Sequence, residues 1–407
     1  MTAALPPTLQ RVLKGKSCAG CGLCAGLDPA IGMTRDAKGW KRPVALGTPA
    51  PGTDALLAKV CPGATISPWT LSDAPETHPF WGPHVRVLTG NSTDAEIRHT
   101  ASSGGALSSL ALHLLRTGAV NRVLHVGMNP EKPLETLITR SADRDDILAT
   151  AGSRYAPVSP LETLRTELEA PGNILFIGKP CDVGAMRQLM QADPAVAARI
   201  PYLLSFFCAG TPSQDGTDRI VRKLGFEPEE VAHFRYRGDG WPGFATAETA
   251  DGRRARISYA ASWGDILSKE VQFRCKICPD GVGGAADVAA ADAWYGGETG
   301  YPEFEEADGR SLILTRTRKG DALVAAAEAA GALSTEPLAI GEIRLMQPSQ
   351  ANRRRLLASR LAAMAVTLMP RPNMQGLHLG EARRQARARE EAKSFVGTVR
   401  RIVTGRI

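Results

Sequence analysis

Ile174-Leu-Phe-Ile-Gly178 running into Lys179-Pro180-Cys181-Asp182 is the stretch whose reading decides the fold. Four apolar residues closed by glycine read as a short buried strand, and the residues over 183–190 read as a helix. The same succession recurs on both sides. Residues 106–115 and 161–168 read as helices, and 122–126 and 203–207 as strands. Such alternation implies a layered α/β domain. Shorter strand candidates follow at 244–249, 255–259, 288–291 and 312–315, with an Ala-rich helix at 322–330. Ligands bind at the carboxyl ends of strands in such sheets, and Cys181 and Cys208 stand at two of those ends.

The chain has eight cysteines, which divide into two sets of four. Cys18, Cys21 and Cys24 have the C-x2-C-x2-C spacing of bacterial ferredoxins, and Cys61-Pro62 supplies the Cys-Pro that ends such a run. Where a local fourth cysteine would stand, Asp28 precedes Pro29. The run closed by Cys61 therefore reads as the ligand set of one cubane cluster, not two. Cys181, Cys208, Cys275 and Cys278 make the second set, with Pro279 after Cys278. A second cluster is the economical reading, although this spacing suits tetrahedral zinc equally well and free cysteine is often a small buried hydrophobe. Disulfides are not expected. The start, Met-Thr-Ala-Ala-Leu-Pro-Pro, has no charged-then-apolar segment, and no run of about 18 apolar residues occurs. The expectation is a reduced, cytoplasmic protein.

At 407 residues, with 43% hydrophobic and 22% charged content, the chain has the composition of a folded protein of two or three domains. Aromatic residues are 5%, leaving little material for stacking on bases. The net charge of +7 is concentrated at one end: from Gly341 on there are fourteen Lys and Arg against four Asp and Glu, which leaves −3 for the rest. No nucleic-acid partner is expected. The expected divisions are a ferredoxin-like iron-sulfur head over 1–74, the first part of a layered α/β body over 75–170, a second part with the later cysteines over 171–340, and a basic helical tail over 341–407. Proline-rich 75–83 reads as a linker. In the tail, Arg353 to Arg355 precede Leu356, Leu357, Leu361, Met364 and Leu368 at helical spacing, which suits docking on an acidic partner or an anionic membrane surface, or packing on the body.

Candidate binding residues cluster around four motifs. His99-Thr100-Ala-Ser102-Ser103-Gly104-Gly105 leads into the helix at Ala106, and small residues at a helix start suit a pyrophosphate or serve simply as a cap. Lys179 is either solvated or a charge beside a flavin; the frame of a Walker lysine is absent. Gly152-Ser153-Arg154-Tyr155 precedes a turn. Arg235-Tyr-Arg237-Gly-Asp-Gly-Trp-Pro-Gly243 suits gripping a phosphate or planar ring through Arg237, or a hairpin turn with an internal Arg-Asp pair. Asp292-Ala-Trp294 lies at a further strand end.

Taken in order from about Cys18 to about Leu314, these motifs resemble the deazaflavin (coenzyme F420) hydrogenase/dehydrogenase beta-subunit family, which includes 7-hydroxymethyl chlorophyll a reductase and the ferredoxin-dependent divinyl chlorophyllide reductase. The resemblance implies two 4Fe-4S clusters on the two quartets, and FAD held by Thr100, Ser102, Ser103, Gly104, Gly105, Ser153, Tyr155, Lys179, Arg237 and Asp292. It further implies an oxidoreductase that passes electrons from ferredoxin or another redox protein through the clusters to FAD and on to a small organic substrate. Two other activities fit the same family: hydride delivery from the deazaflavin to FAD with electrons leaving through the clusters, and a non-catalytic electron-transfer subunit. The tail after Gly341 lies outside the resemblance.

Overall fold

In a computed structural model, which describes residues 4–296 and 306–407, the 174–178 segment is an inner strand of an eight-stranded sheet. In chain order the strands are β1 (Val87–Ser92), β2 (Arg122–Met128), β3 (Thr136–Ser141), β4 (Ile174–Gly178), β5 (Tyr202–Phe206), β6 (Val288–Asp292), β7 (Ser311–Thr315) and β8 (Leu333–Pro337). Across the sheet the order is β8-β1-β7-β6-β5-β4-β2-β3. The four strands β2, β4, β5 and β6 pair in parallel, and antiparallel strands flank them on both sides.

Alternation along β4 and β5 makes the layers, because successive side chains leave opposite faces of a strand. Ile174, Phe176 and Leu203 pack with Val183, Met186 and Leu189 of the helix Pro180–Ala192. Leu175 and Leu204 pack the other way, with Ala106, Leu110 and Leu114 of Ala106–Arg116 and Leu323, Val324 and Ala327 of Arg318–Ala329. The result is an α/β/α sandwich. The helix after β4 begins at Pro180, earlier than the 183 read from sequence, since proline is preorganised for the first helical position. Cys181 and Asp182 therefore sit in its first turn.

The proline-rich 75–83 stretch is not a linker. Glu76–His78 pairs with Gly82–His84 as a hairpin, Phe80 and Trp81 between them are buried, and Trp81 stacks on Phe207 at 6.2 Å. Burial of two large rings outweighs the breaking tendency of the prolines. The cysteine-bearing head likewise joins the body directly: Cys21, Leu23 and Val60 share a core with Val183 and Met186. Asp28, in the place of a local fourth cysteine, is buried and organises the head, accepting the amides of Ala30 and Ala50 and the Thr53 hydroxyl at 2.6–2.9 Å.

Of the arrangements open to the tail, the structure shows packing on the body. Its helices include Pro348–Arg355, Leu357–Val366 and Ala388–Val403, with Arg354, Leu357 and Met364 buried and Leu368 exposed. Among the described residues, no helix is long and apolar enough to cross a membrane.

Candidate functional site

A cavity of about 680 Å³ opens at the carboxyl ends of the parallel strands. Residues from after β4 (Lys179), after β5 (Phe207 and Cys208) and at the end of β6 (Asp292) line it, as do Gly105 to Ser108 at the start of the helix Ala106–Arg116. Gly105 takes φ 78°, a left-handed conformation that glycine adopts without strain. The next three amides have no partner within the helix, by helix geometry. Donors and the positive end of an eleven-residue helix thus face the cavity.

Ser102, Ser103, Ser153, Tyr155, Lys179, Arg237 and Asp292 line this cavity with Gly105. The Ser102 and Ser103 hydroxyls are already engaged: Ser102 accepts the Ser153 amide and donates to Arg237 O, and Ser103 donates to Arg310 O at 2.9 Å. Gly104 is not among the lining residues. A Cβ there would lie 2.7 Å from both Gly90 O and Ser311 N, so its bareness lets the loop cross β1 and β7. Thr100 also stands back from the cavity, and its carbonyl accepts the Arg235 guanidinium.

Arg237 is the best-held charge in the site. Its guanidinium is buried among Tyr259, Trp294 and Trp241 at 4.7–5.2 Å, and donates to Asp292 Oδ2 and Pro242 O, each at 2.7 Å. Burial alone would favour its neutral form, but Asp292 reverses that and keeps it charged. Lys179 donates to both oxygens of Asp182 at 2.7–2.8 Å, and only 12% of its side chain and 2% of the Asp182 side chain are exposed. Burial opposes its charge, yet Asp182, and then Cys181 and Cys21, raise its pKa above the ordinary lysine value. This ion pair interacts with one cysteine of each quartet.

The inner quartet is drawn from three places. Cys181 comes from the first helical turn after β4, Cys208 from the loop after β5, and Cys275 and Cys278 from in and beside the short helix Phe273–Lys276. The Thr211 amide donates to Cys275 Sγ at 3.2 Å. Burial, followed by the charge of Cys275, pushes the Cys208 thiol up to about 12. In the head, burial pushes Cys61 up to about 11, with Cys18 adding to the effect, and raises Cys21 and Cys24 as well. Buried thiols of this kind ionise readily only with a cationic group among them. Among the described residues, no three His, Cys, Asp or Glu side chains converge as the ligands of one metal ion would.

Three features of the site carry no sequence signal. Buried Arg274 interacts with Cys278, Cys181 and Cys275 and donates to Pro62 O, beside Cys61, at 3.2 Å, so one cation spans the two quartets. His125 lines the cavity with its Nε2 2.7 Å from Ser141 Oγ, and burial lowers its pKa to about 4, keeping it neutral. Met346 to Gln350, from the tail, form another wall. Gln347 there donates to Asp292 O at 2.8 Å. Only the spacing of the tail's apolar residues pointed to any packing.

Residues 87–165 match the N-terminal part, and residues 172–340 the C-terminal part, of the family described as coenzyme F420 hydrogenase/dehydrogenase, beta subunit. The coenzyme F420-dependent sulfite reductase of Methanocaldococcus jannaschii is 24% identical over 335 residues, 79% of this chain and 47% of that protein. The chloroplastic 7-hydroxymethyl chlorophyll a reductase of Oryza sativa subsp. japonica is 24% identical over 59% of this chain and 49% of its own length. The coenzyme F420 hydrogenase subunit beta of Methanothermobacter thermautotrophicus is 27% identical over 72% of this chain and 99% of its own. The chain thus spans about half of the first two relatives and nearly all of the third. A chain of the F420-reducing NiFe hydrogenase complex from Methanosarcina barkeri superimposes with a TM-score of 0.55 at 22% identity, over 70% of this chain and 95% of that one, a likeness of fold.

Proposed function

This chain belongs to the coenzyme F420 hydrogenase/dehydrogenase beta-subunit family, and from that premise we propose that it is an iron-sulfur flavoprotein oxidoreductase. In this reading FAD occupies the cavity, one 4Fe-4S cluster is held by Cys18, Cys21, Cys24 and Cys61, and a second by Cys181, Cys208, Cys275 and Cys278. A ferredoxin-type partner supplies electrons for reduction of a small organic substrate. The observation that carries the reading is the position of Cys208, which is both a member of the inner quartet and part of the cavity wall. Bound there, clusters and flavin supply one-electron relay and its conversion to two-electron chemistry.

The residues suit those groups. The thiolates of a cubane bind separate irons, so they need not converge as closely as the ligands of one zinc, which at ~2.3 Å from the metal lie within about 4.6 Å of each other. Lys179 and Arg274 supply positive charge beside buried thiols that must ionise. The amides of Ala106, Leu107 and Ser108 orient an anionic group, while Arg237 fixes a cation against aromatic rings in the same cavity.

Protein purified without oxygen should contain about eight irons and eight acid-labile sulfides per chain with bound flavin. Zinc in place of iron on Cys275 and Cys278 would overturn the second cluster. A second reading, oxidation of the reduced deazaflavin, is favoured by the relative matched over 99% of its length. Rapid flavin bleaching by reduced deazaflavin, with no response to reduced ferredoxin, decides for it.

A further inference from the structure

The basic tail would be expected to turn its guanidinium groups to water. Three of its arginines instead turn inward, onto the loops that carry the inner cysteines. Arg353 donates through Nη2 to Cys208 O at 2.7 Å and through Nη1 to Ala209 O at 3.1 Å, with Cys275 O at 3.5 Å. Arg354, buried and 3.8 Å over the Trp69 ring, donates to Pro279 O, next to Cys278. Arg360 donates to Lys276 O. Gly281 shows that the fit is built into the chain. Its carbonyl joins the same loop, since Cys208 N donates to Gly281 O at 2.8 Å, and a Cβ on Gly281 would run into Arg353 Nη2.

We propose that Arg353 is a positioning residue for the inner quartet. Its planar fork ties the Cys208 loop to the Cys275 loop and fixes a positive charge beside whatever the four thiolates hold. The tail is then a structural part of the redox site, contributed by residues beyond the family-matched region that ends at 340. The inference rests on the reading that the inner quartet holds a cluster. A fork that donates to two loops restrains their separation in a way one ammonium group cannot. A fixed cation also favours the more negative, reduced state of a nearby cluster and so raises its potential.

The test uses the full-length protein, purified without oxygen, carrying Arg353→Gln, Arg353→Lys or Gly281→Ala. Iron release to a chelator and the midpoint potential of each cluster by EPR-monitored titration are the readouts. Arg353→Gln should lower one potential and leave the other unmoved. Arg353→Lys should keep both potentials but release half of the iron about tenfold faster, the loss of one charge-assisted bond. Gly281→Ala, which displaces the guanidinium, should release that iron faster as well. Unchanged release and unchanged potentials in Arg353→Gln would overturn the role. Should that variant fail to fold, normal iron release in Arg353→Lys overturns it instead. Four irons per unaltered chain would sink the cluster reading itself; eight irons with unmoved potentials and release sink only the role of Arg353.

Discussion

Three of the head cysteines lie within seven residues, Cys18 and Cys21 on a loop bent where Gly20 and Gly22 take φ 72° and 80° and Cys24 in the short helix Leu23–Leu27, whereas the inner four come from three separate segments brought together by β4, β5 and a short helix. The head is a local device. Glycine conformations bend the chain between Cys18, Cys21 and Cys24 over seven residues, and Cys61 follows the end of the helix Thr53–Val60. The inner quartet is a product of topology: parallel pairing sets the ends of β4 and β5 side by side, and Arg353 then joins the Cys208 and Cys275 loops. The head cysteines share a core with the body but stand off the cavity wall, whereas the inner set contributes Cys208 to that wall.

Replacing cysteines tests that difference most severely. Cys18→Ser with Cys21→Ser should remove about four irons and block reduction by ferredoxin, while direct chemical reduction of the flavin persists. Cys275→Ser with Cys278→Ser should also remove about four irons, and in addition lower flavin content and turnover about 100-fold or more. Equal flavin retention in the two, read from absorbance spectra, would break the contrast.

Lys179→Met comes next, because Asp182 is left buried and unpaired. Urea unfolding should show a loss of about 3–5 kcal/mol. Much of that should return when Asp182→Leu is added. A loss confined to the inner half would mean that head and body do not share this ion pair.

Arg237→Lys sharpens the cavity side of the comparison. A lysine cannot reproduce a fork held by Asp292 and Pro242 against three aromatic rings. Flavin or anionic ligand should bind about tenfold more weakly, by equilibrium dialysis, with the iron content of both quartets unchanged.

The smallest effect belongs to the head. Asp28→Asn should cost about 1–2 kcal/mol, since an amide oxygen accepts more weakly than a carboxylate. The Thr53 hydroxyl, with the Ala30 and Ala50 amides, holds the Asp28 carboxyl below its ordinary value of 3.8. Its stabilising contribution is present above that value and is lost as pH falls through the lower, folded one. Acid unfolding monitored by loss of head iron should therefore be less steep in the variant.

What the sequence could disclose follows the same division. The apolar run at 174–177 and its neighbours identified the α/β sandwich, because buried strands and amphipathic helices have distinct periods. Spacing alone suggested a grouping of the head cysteines. The strand-end rule put Cys181 and Cys208 at the correct edge, and the small residues before Ala106 marked a real helix start. Residues whose role depends on distant backbone were not legible. Gly104 is bare to pass Gly90 and Ser311, the Thr100 carbonyl is taken by Arg235, and Arg274 and Arg353 act on carbonyls of remote loops. Proline-rich 75–83 misled because local breaking tendency says nothing about Trp81 finding Phe207.

The strand pairing also sets an order in time. β1 pairs with β7, whose residues are made more than 200 positions later, and β6 completes the parallel set only after Val288 appears. At the ~5–20 residues per second of synthesis, roughly 15–60 s separate the emergence of Cys61 from that of Arg353. The four head cysteines are all made by the start of that interval. The inner cysteines and the cavity are not, so a nascent chain spends most of its synthesis with the head cysteines present and the sheet behind them incomplete.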